Sequence, residues 1–441
     1  YFNPQMEGFW SQQLEDFYTN KIQFSGVWLD MNEIAAFAEG QVNEYDQKSS
    51  CEDNYYPYLP GYTSIDSNTI CSNAQHYGGM EHIMVHNYYG SQQARNTNTY
   101  LSKKFPDEFP FILTRSNAPG IGRYASHWSG DNKGFEIFLE RSVTEIFNSG
   151  LFGIPHSGAD ICGFGENTPT LMCARWYQLG SLYPFSRAHN HLDYKDKEPF
   201  NRGSVVLNTT KKSLEFRYSI LKHYYSEFIK LKGEGMLFKP LFMEFSDLEY
   251  SEEVLGPKVL DRQFIIGSQL MVVPFYDIEI ESESWVEEGS VINRSFLEVS
   301  SQSINNKAFY RNQEAYFPGI AKGVYAWFDL RDNKRVKKEG DFDFTTVNLR
   351  LEEMPAVFLK SGELIVVNPN SNSVKNSYEL NNKFRIVTAL SNKKRVSSGS
   401  FVVLHDFNSR KEIEECQSKN CLLKLSLRMT EHSLIIEIDP P

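Results

Sequence analysis

Apolar and polar residues alternate in two rhythms along this chain, and the change falls near Pro240. Before it, short apolar runs are separated by stretches with helical spacing. Asn3 and Pro4 predict a helix start, a cap followed by a first-turn proline. Trp10, Leu14, Phe17 and Tyr18 follow on one helical face. GVWL (26–29), FPFILT (109–114), SHW (126–128), LFGIPHSG (151–158) and LYPFSR (182–187) read as strands. Phe135, Phe138, Leu139, Ser142, Val143, Ile146 and Phe147 mark one helix face. Thr168 and Pro169 predict the start of a helix carrying Cys173, Trp176 and Leu179. Leu214, Tyr218, Leu221, Tyr225 and Phe228 mark a longer one. Strand–helix alternation on this scale implies a parallel sheet, open or closed into a barrel.

After Pro240, PLFMEF, QFIIGSQLMVVPF, GVYAWFDL, FTTVNLRL, AVFLKSGELIVV, FRIVTAL, SFVVLHDF and LLKLSLRM read as strands separated by polar turns. Helix signals nearly vanish, the pattern of β-sandwiches. The Ser/Asn-rich NPNSNSVKNS (368–377) reads as a linker between two such modules. With 441 residues the chain is too long for one compact core. The expected architecture is an α/β region over 1–240, then two all-β sandwich domains, a proximal one over 241–367 and a distal one over 368–441.

Composition adds exclusions. The chain is 41% hydrophobic and 14% aromatic, a globular balance. Its formal net charge of −11 argues against a polyanion as main partner, so no nucleic acid is expected. No apolar run reaches the roughly 18 residues that span a bilayer. The six cysteines fall into close pairs, Cys51 and Cys71, Cys162 and Cys173, Cys416 and Cys421, which favours disulfides without proving connectivity. Asn208-Thr-Thr and Asn293-Arg-Ser are glycosylation acceptors in a chain that enters the secretory path. No zinc-type Cys/His spacing and no phosphate-binding Gly-rich loop is present, so neither metal nor cofactor is expected.

The candidate chemistry sits where strands end. GVWL is apolar, yet it stops on Asp30, Met31, Asn32 and Glu33. Burying unpaired charge is costly, so such an ending needs a reason. FPFILT runs into Arg115, SHW into Ser129-Gly130-Asp131, GIPHSG into Ala159-Asp160, and LYPFSR into Ala188-His189. In parallel α/β folds the C-terminal ends of strands carry the reactive groups. Any one of these acids could be a helix cap or a solvated loop residue; their succession at equivalent positions argues for a pocket. Two carboxylates flanking one pocket suit glycoside hydrolysis, and Trp28, Trp128 and Phe164 offer faces for sugar C–H groups.

WLDMNE, HNYYG (86–90), TRSNAPGIGRYASHWSGDN (114–132), GADICGF (158–164) and YPFSRAHN (183–190) together resemble glycoside hydrolase family 31, and within it the acid and intestinal α-glucosidases. The resemblance is strong to about residue 240 and weaker through the β region. It implies that residues 1–240 are strands 4 to 8 of a (β/α)₈ TIM barrel, the C-terminal portion. It makes Asp30 the nucleophile and Asp131 the general acid/base. It places Trp28, Met31, Arg115, Trp128, Asp160, Phe164 and His189 around the glucose, with Glu33 supporting the nucleophile's loop. It implies disulfides Cys51–Cys71 and Cys162–Cys173. GVWL would then be barrel wall packed on both faces. Asp30 must stay ionised while Asp131 keeps its proton, so their environments must differ. A retaining pair stands about 5–5.5 Å apart.

The chain departs from the family pattern at Ile34-Ala35-Ala36 and at Asn117-Ala118-Pro119, on the expected pocket rim. The resemblance implies hydrolysis of terminal α-1,4-linked glucose from maltose, malto-oligosaccharides, glycogen or starch, in the lysosome or a secreted enzyme. Alternatives are an α-transglucosylase, a glycoprotein-trimming glucosidase, or a catalytically degenerate carbohydrate-binding homologue. A closed barrel needs eight strand–helix units and only about five precede Pro240. An upstream segment of the same enzyme is therefore the expected partner that completes the barrel.

Overall fold

The computed structural model describes residues 1–35, 41–42, 48–49, 69–246, 256–276, 310–380, 383–392, 394–402, 410–419 and 421–439. The chain divides into two units. The first comprises Tyr1–Trp128, Leu151–Ser157 and Phe407–Glu415; the second comprises Ser129–Gly150, Gly158–Asp406 and Cys416–Pro441.

In the first unit three strands run parallel. Gly26–Leu29 pairs with Phe111–Thr114, Leu29 opposite Thr114, and Phe111–Thr114 pairs in turn with Ser126–Trp128. Their apolar face packs with the helices Met6–Asn20 and His82–Lys104 around Leu14, Leu29, Ala94, Leu101 and Ile112. The first helix starts at Met6 rather than at the expected Asn3–Pro4, because Asn3 closes a turn instead, its side chain accepting from the Gln5 amide at 2.9 Å. Gly26–Leu29 is not packed on both faces: Leu29 is buried, but Trp28 is 47% exposed. Alternate residues of a strand face opposite sides, and only the Val27–Leu29 side meets the helices.

The second unit holds the helices Glu136–Leu151 (to Gly150), Thr170–Gly180 and Ser204–Leu231, and a large apolar core. Six strands form an antiparallel sheet in the order Lys334–Arg335, Trp327–Asp329, Val357–Lys360, Leu270–Val272, Phe264–Ile266, Phe238–Pro240. A pair, Leu364–Val367 with Arg385–Thr388, and a three-stranded sheet, Val396–Val402, Leu422–Met429 and Leu434–Asp439, follow.

Several expected elements differ. LFGIPHSG and LYPFSR yield only the short strands Ser157–Gly158 and Arg187–Ala188, and another short strand, Asp160–Ile161, follows the first. Gly153 turns the chain at φ 82° in the first, and Pro155 and Pro184 lack the donor a ladder needs. PLFMEF becomes the end of a strand and a short helix, Leu241–Glu244, which Pro240 can initiate. A helix, Arg410–Lys419, stands where no helix was expected, with an Arg410–Glu414 pair at 2.9 Å. Within the expected linker 368–377, Asn368 is buried and its backbone N–H donates to the Ser219 carbonyl at 2.8 Å, and the residues from Pro369 to Ser377 are exposed or half-exposed. The long helix buries Val206, Thr209, Ser213, Phe216, Ile220 and Ser226, not the expected Leu214–Phe228 row. Small hydroxyl residues allow close approach there, as where Ser226 Oγ accepts from the Val402 amide at 3.1 Å.

Candidate active site

The first unit presents a polar loop at the C-terminal ends of its parallel strands. Beyond Leu29 the backbone turns sharply, with Met31 and Ile34 at φ 53° and 63°, the left-handed region that costs a β-branched residue most. Asn32 anchors the turn. It is 4% exposed, its amide donates to Thr114 Oγ1 at 2.7 Å, and its carbonyl accepts from the Ser116 amide at 2.9 Å. Helix His82–Lys104 closes over this contact at Gly90, where any Cβ would stand 2.6 Å from Ser116 Cβ and 2.9 Å from Asn32 Nδ2.

Asp30 and Glu33, the two carboxylates of this loop, share one guanidinium. Arg115 donates through Nε to Glu33 Oε1 at 3.0 Å and through Nη2 to Glu33 Oε2 at 3.0 Å, a two-point clamp. Arg115 Nη1 lies 3.4 Å from Asp30 Oδ1. Asp30 thus keeps one oxygen near a fixed cation and remains partly open. Beside it, Trp28 and Trp128 meet edge to face with centroids 5.7 Å apart. Trp128 is 1% exposed, so the exposed ring is that of Trp28. His127 lies behind, with Nδ1 3.1 Å from the Thr114 carbonyl, and burial lowers its pKa.

The second unit carries Asp131, Asp160, Phe164 and His189. Gly130 turns at φ 73° and leaves Asp131 exposed on its loop, next to a buried Asn132. Asn132 ties this loop to the neighbouring strand. Its side chain donates to the Asp160 carbonyl at 3.0 Å and accepts from the Asp160 amide at 3.1 Å. Its own carbonyl accepts from the amides of Phe164 and Gly165 at 2.7 and 3.1 Å. Asp160 is fully buried and receives Arg187 Nη2 and Nε at 2.7 and 3.2 Å. Phe164 and His189 lie ring against ring at 5.3 Å, tilted by 33°, and His191 meets Phe164 edge-on at 5.5 Å. Cys162 and Cys173 are bonded, with Cα atoms 4.7 Å apart. Of the expected pair Thr168–Pro169, Pro169 holds the cap position of the following helix, and the Thr168 hydroxyl donates to the Cys162 carbonyl.

Cys416 and Cys421 are also bonded. Cys71 is in a disulfide, but Cys51 lies outside the described residues, and with it the expected pairing. Asn208 is exposed on the long helix, its amide on Glu352 Oε1 at 2.9 Å; Asn293 lies outside the described residues. Asn32, Asn132 and Arg187 were not singled out from sequence. Arg187 had a signal, since a buried Asp160 requires a cation and Arg187 ends the adjacent strand. The two asparagines had none beyond membership of the motifs.

Residues 1–227 match the Glycosyl hydrolases family 31 TIM-barrel domain. The lysosomal acid alpha-glucosidase of Tetrahymena pyriformis is 29% identical over 461 residues, covering 95% of this chain and 46% of that protein. Intestinal sucrase-isomaltase of Homo sapiens is 35% identical over 277 residues, covering 62% of this chain and 15% of that protein. The chain therefore spans less than half the length of these relatives. Among solved structures, a glucosidase II alpha subunit bound to Glc1Man2 shares the fold at TM-score 0.71 and 22% identity, covering 99% of this chain and 40% of that one. A Flavobacterium johnsoniae dextranase complexed with glucose does so at TM-score 0.71 and 20% identity, covering 99% and 46%. Among the described residues no helix is long and apolar enough to cross a membrane. With more than half its length matching the barrel domain, the chain belongs to glycoside hydrolase family 31.

Proposed function

We propose that the protein is part of a retaining α-glucosidase that removes terminal α-1,4-linked glucose by double displacement. The observation that carries this reading is Asp30. It is a strand-end carboxylate in a family 31 barrel domain, held beside Arg115 and left open to a substrate. Asp30 attacks the anomeric carbon and forms a glucosyl ester. The Arg115 guanidinium lies 3.4 Å from the Asp30 carboxylate, and Glu33 keeps that guanidinium in place. Asp131 first protonates the leaving oxygen and then, as a carboxylate, draws the proton from the water that cleaves the ester. In the first unit Trp28, Met31 and Trp128 are the proposed glucose contacts; in the second they are Asp160, acting from its Arg187 pair, and Phe164 with His189, which offers a flat apolar wall. Residues 1–240 form the barrel portion, and 241–367 and 368–441 the two β-sandwich modules. Disulfides form in oxidising compartments, which supports a lysosomal or secreted protein.

Asp131→Ala tests the assignment. It should depress maltose hydrolysis far more than hydrolysis of an activated aryl glucoside, whose leaving group needs little protonation. Equal losses on both substrates would remove Asp131 from the acid role.

A further inference from the structure

The segment Asp160–Thr168 is fastened by two cations that no step above uses. Lys197 is 1% exposed. Its ammonium donates to the Glu166 carbonyl and lies 3.4 Å from Thr168 Oγ1. The Arg202 guanidinium donates to the Thr168 carbonyl. Neither cation meets a carboxylate at these contacts; the Glu166 carboxylate lies 3.6 Å from Lys133 instead. A buried ammonium held by neutral oxygens recovers little of its desolvation cost, so its placement needs a reason.

The reason lies in what these contacts hold. Thr168 Oγ1 passes the connection to the Cys162 carbonyl. Between the anchors the backbone is tightly constrained: Cys162 and Glu166 stand at φ 66° and 71°. A Cβ on Gly163 would fall 2.2 Å from the Gly134 amide nitrogen. The next amides, Phe164 and Gly165, bond the Asn132 carbonyl, one residue from Asp131. A shift at Glu166–Thr168 is thereby transmitted to both Phe164 and the Asp131 loop.

We propose that Lys197 is a positioning residue for sugar binding, its buried ammonium fixing the Asp160–Thr168 segment so that Phe164 and the Asn132–Asp131 backbone meet the glucose ring in register. The substrate part rests on the α-glucosidase reading. Burial, reinforced by the Arg202 charge and opposed by the Glu166 carboxylate, lowers the Lys197 pKa to about 8. Tyr177, whose hydroxyl donates to the Lys197 carbonyl at 2.8 Å, faces it from the preceding helix, and Glu198 and Arg202 face Tyr177 in turn. Burial raises the Tyr177 phenol far above that range, so the amine titrates first on the alkaline side.

The test uses the native full-length enzyme and p-nitrophenyl α-glucoside, with KM and kcat followed from about pH 6 to about pH 10. Wild type should show KM rising through about pH 8 while kcat changes little. Lys197→Met should raise KM about tenfold at neutral pH, with kcat within about twofold, and abolish the inflection. Lys197→Arg should keep the low KM and remove the inflection from the range. A wild-type profile with no alkaline rise in KM overturns the proposal, as does a Lys197→Met enzyme with the wild-type profile. If the methionine variant does not fold, the wild-type and arginine profiles decide. If wild type turns over no glucoside, the functional reading fails, and amide exchange of the 160–168 peptide still decides this one. Lys197→Met or Lys197→Gln should then speed exchange about tenfold, and unchanged exchange sinks the proposal.

Discussion

The Asp30 loop and the Asp160 loop meet the same demand by different means. Each must hold polar backbone in an irregular shape at the end of a short parallel strand. The Asp30 loop is held by side chains, with Arg115 shared between Asp30 and Glu33 and Asn32 spanning Thr114 and Ser116. The Asp160 loop is held by a covalent bond, Cys162–Cys173, by the pairing of a fully buried Asp160 carboxylate with a part-exposed Arg187, and by the cations Lys197 and Arg202 on its carbonyls. The difference teaches where each loop is vulnerable. Partly exposed ion pairs exchange with water cheaply, whereas buried charge and a disulfide give rigidity whose loss is expensive.

The largest contrast should come from removing one carboxylate on each side. Asp160→Ala removes the buried carboxylate that receives two hydrogen bonds from the part-exposed Arg187 and should destabilise the fold by about 2–3 kcal/mol. Glu33→Gln leaves Arg115 with Asp30 in a part-exposed setting and should cost about 1 kcal/mol or less. Denaturant midpoints of the two variants measure the gap; similar midpoints would break the comparison.

Acid should strain the second unit next. Burial, opposed by Glu227, lowers the His223 pKa to about 4. The unfolded imidazole takes its proton near the ordinary value of about 6.5. Stability is then full above about pH 6.5 and is lost as pH falls towards 4, by about 3 kcal/mol in all. Melting temperatures of wild type and His223→Gln across this window should converge at low pH, and parallel curves would exclude the histidine as cause.

Opening Cys162–Cys173 by a double change to alanine should cost about 2–3 kcal/mol for so short a loop. The variant's melting temperature should no longer respond to reductant at this bond. Asn32→Ala removes two buried hydrogen bonds in the other loop and should cost about 2 kcal/mol. Its activity should fall at any redox potential. Faster amide exchange of the Asn32 loop in the Cys162/Cys173 double-alanine variant would contradict the division of labour drawn here.

Local signals carried much of this architecture. The strands Gly26–Leu29 and Ser126–Trp128 are legible because apolar runs end abruptly on polar residues, and the strand ends that carry Asp30, Asp131 and Asp160 are legible with them. The helix Glu136–Leu151 buries Leu139, Ser142, Val143, Ile146 and Phe147, the face its periodicity marks. What failed depended on partners distant in sequence. The long helix turns Thr209, Ser213 and Ser226 inward, because close approach favours small side chains over the larger apolar row. Asn32, Asn132 and Arg187 acquire meaning only when Thr114, the Asp160 backbone and the Asp160 carboxylate are brought beside them. Hydrogen-bond partnership has no periodicity to read.

The central claim is that the open carboxylate of the Asp30 loop makes the covalent bond to glucose. The most direct test is to trap it, by incubating the native enzyme with 5-fluoro-α-glucosyl fluoride and mapping the labelled peptide by mass spectrometry. The account predicts one fluoroglucosyl group per enzyme, on Asp30, and no label on Asp30→Asn. Label on another carboxylate, or turnover of the reagent with inversion and no covalent adduct, would contradict it.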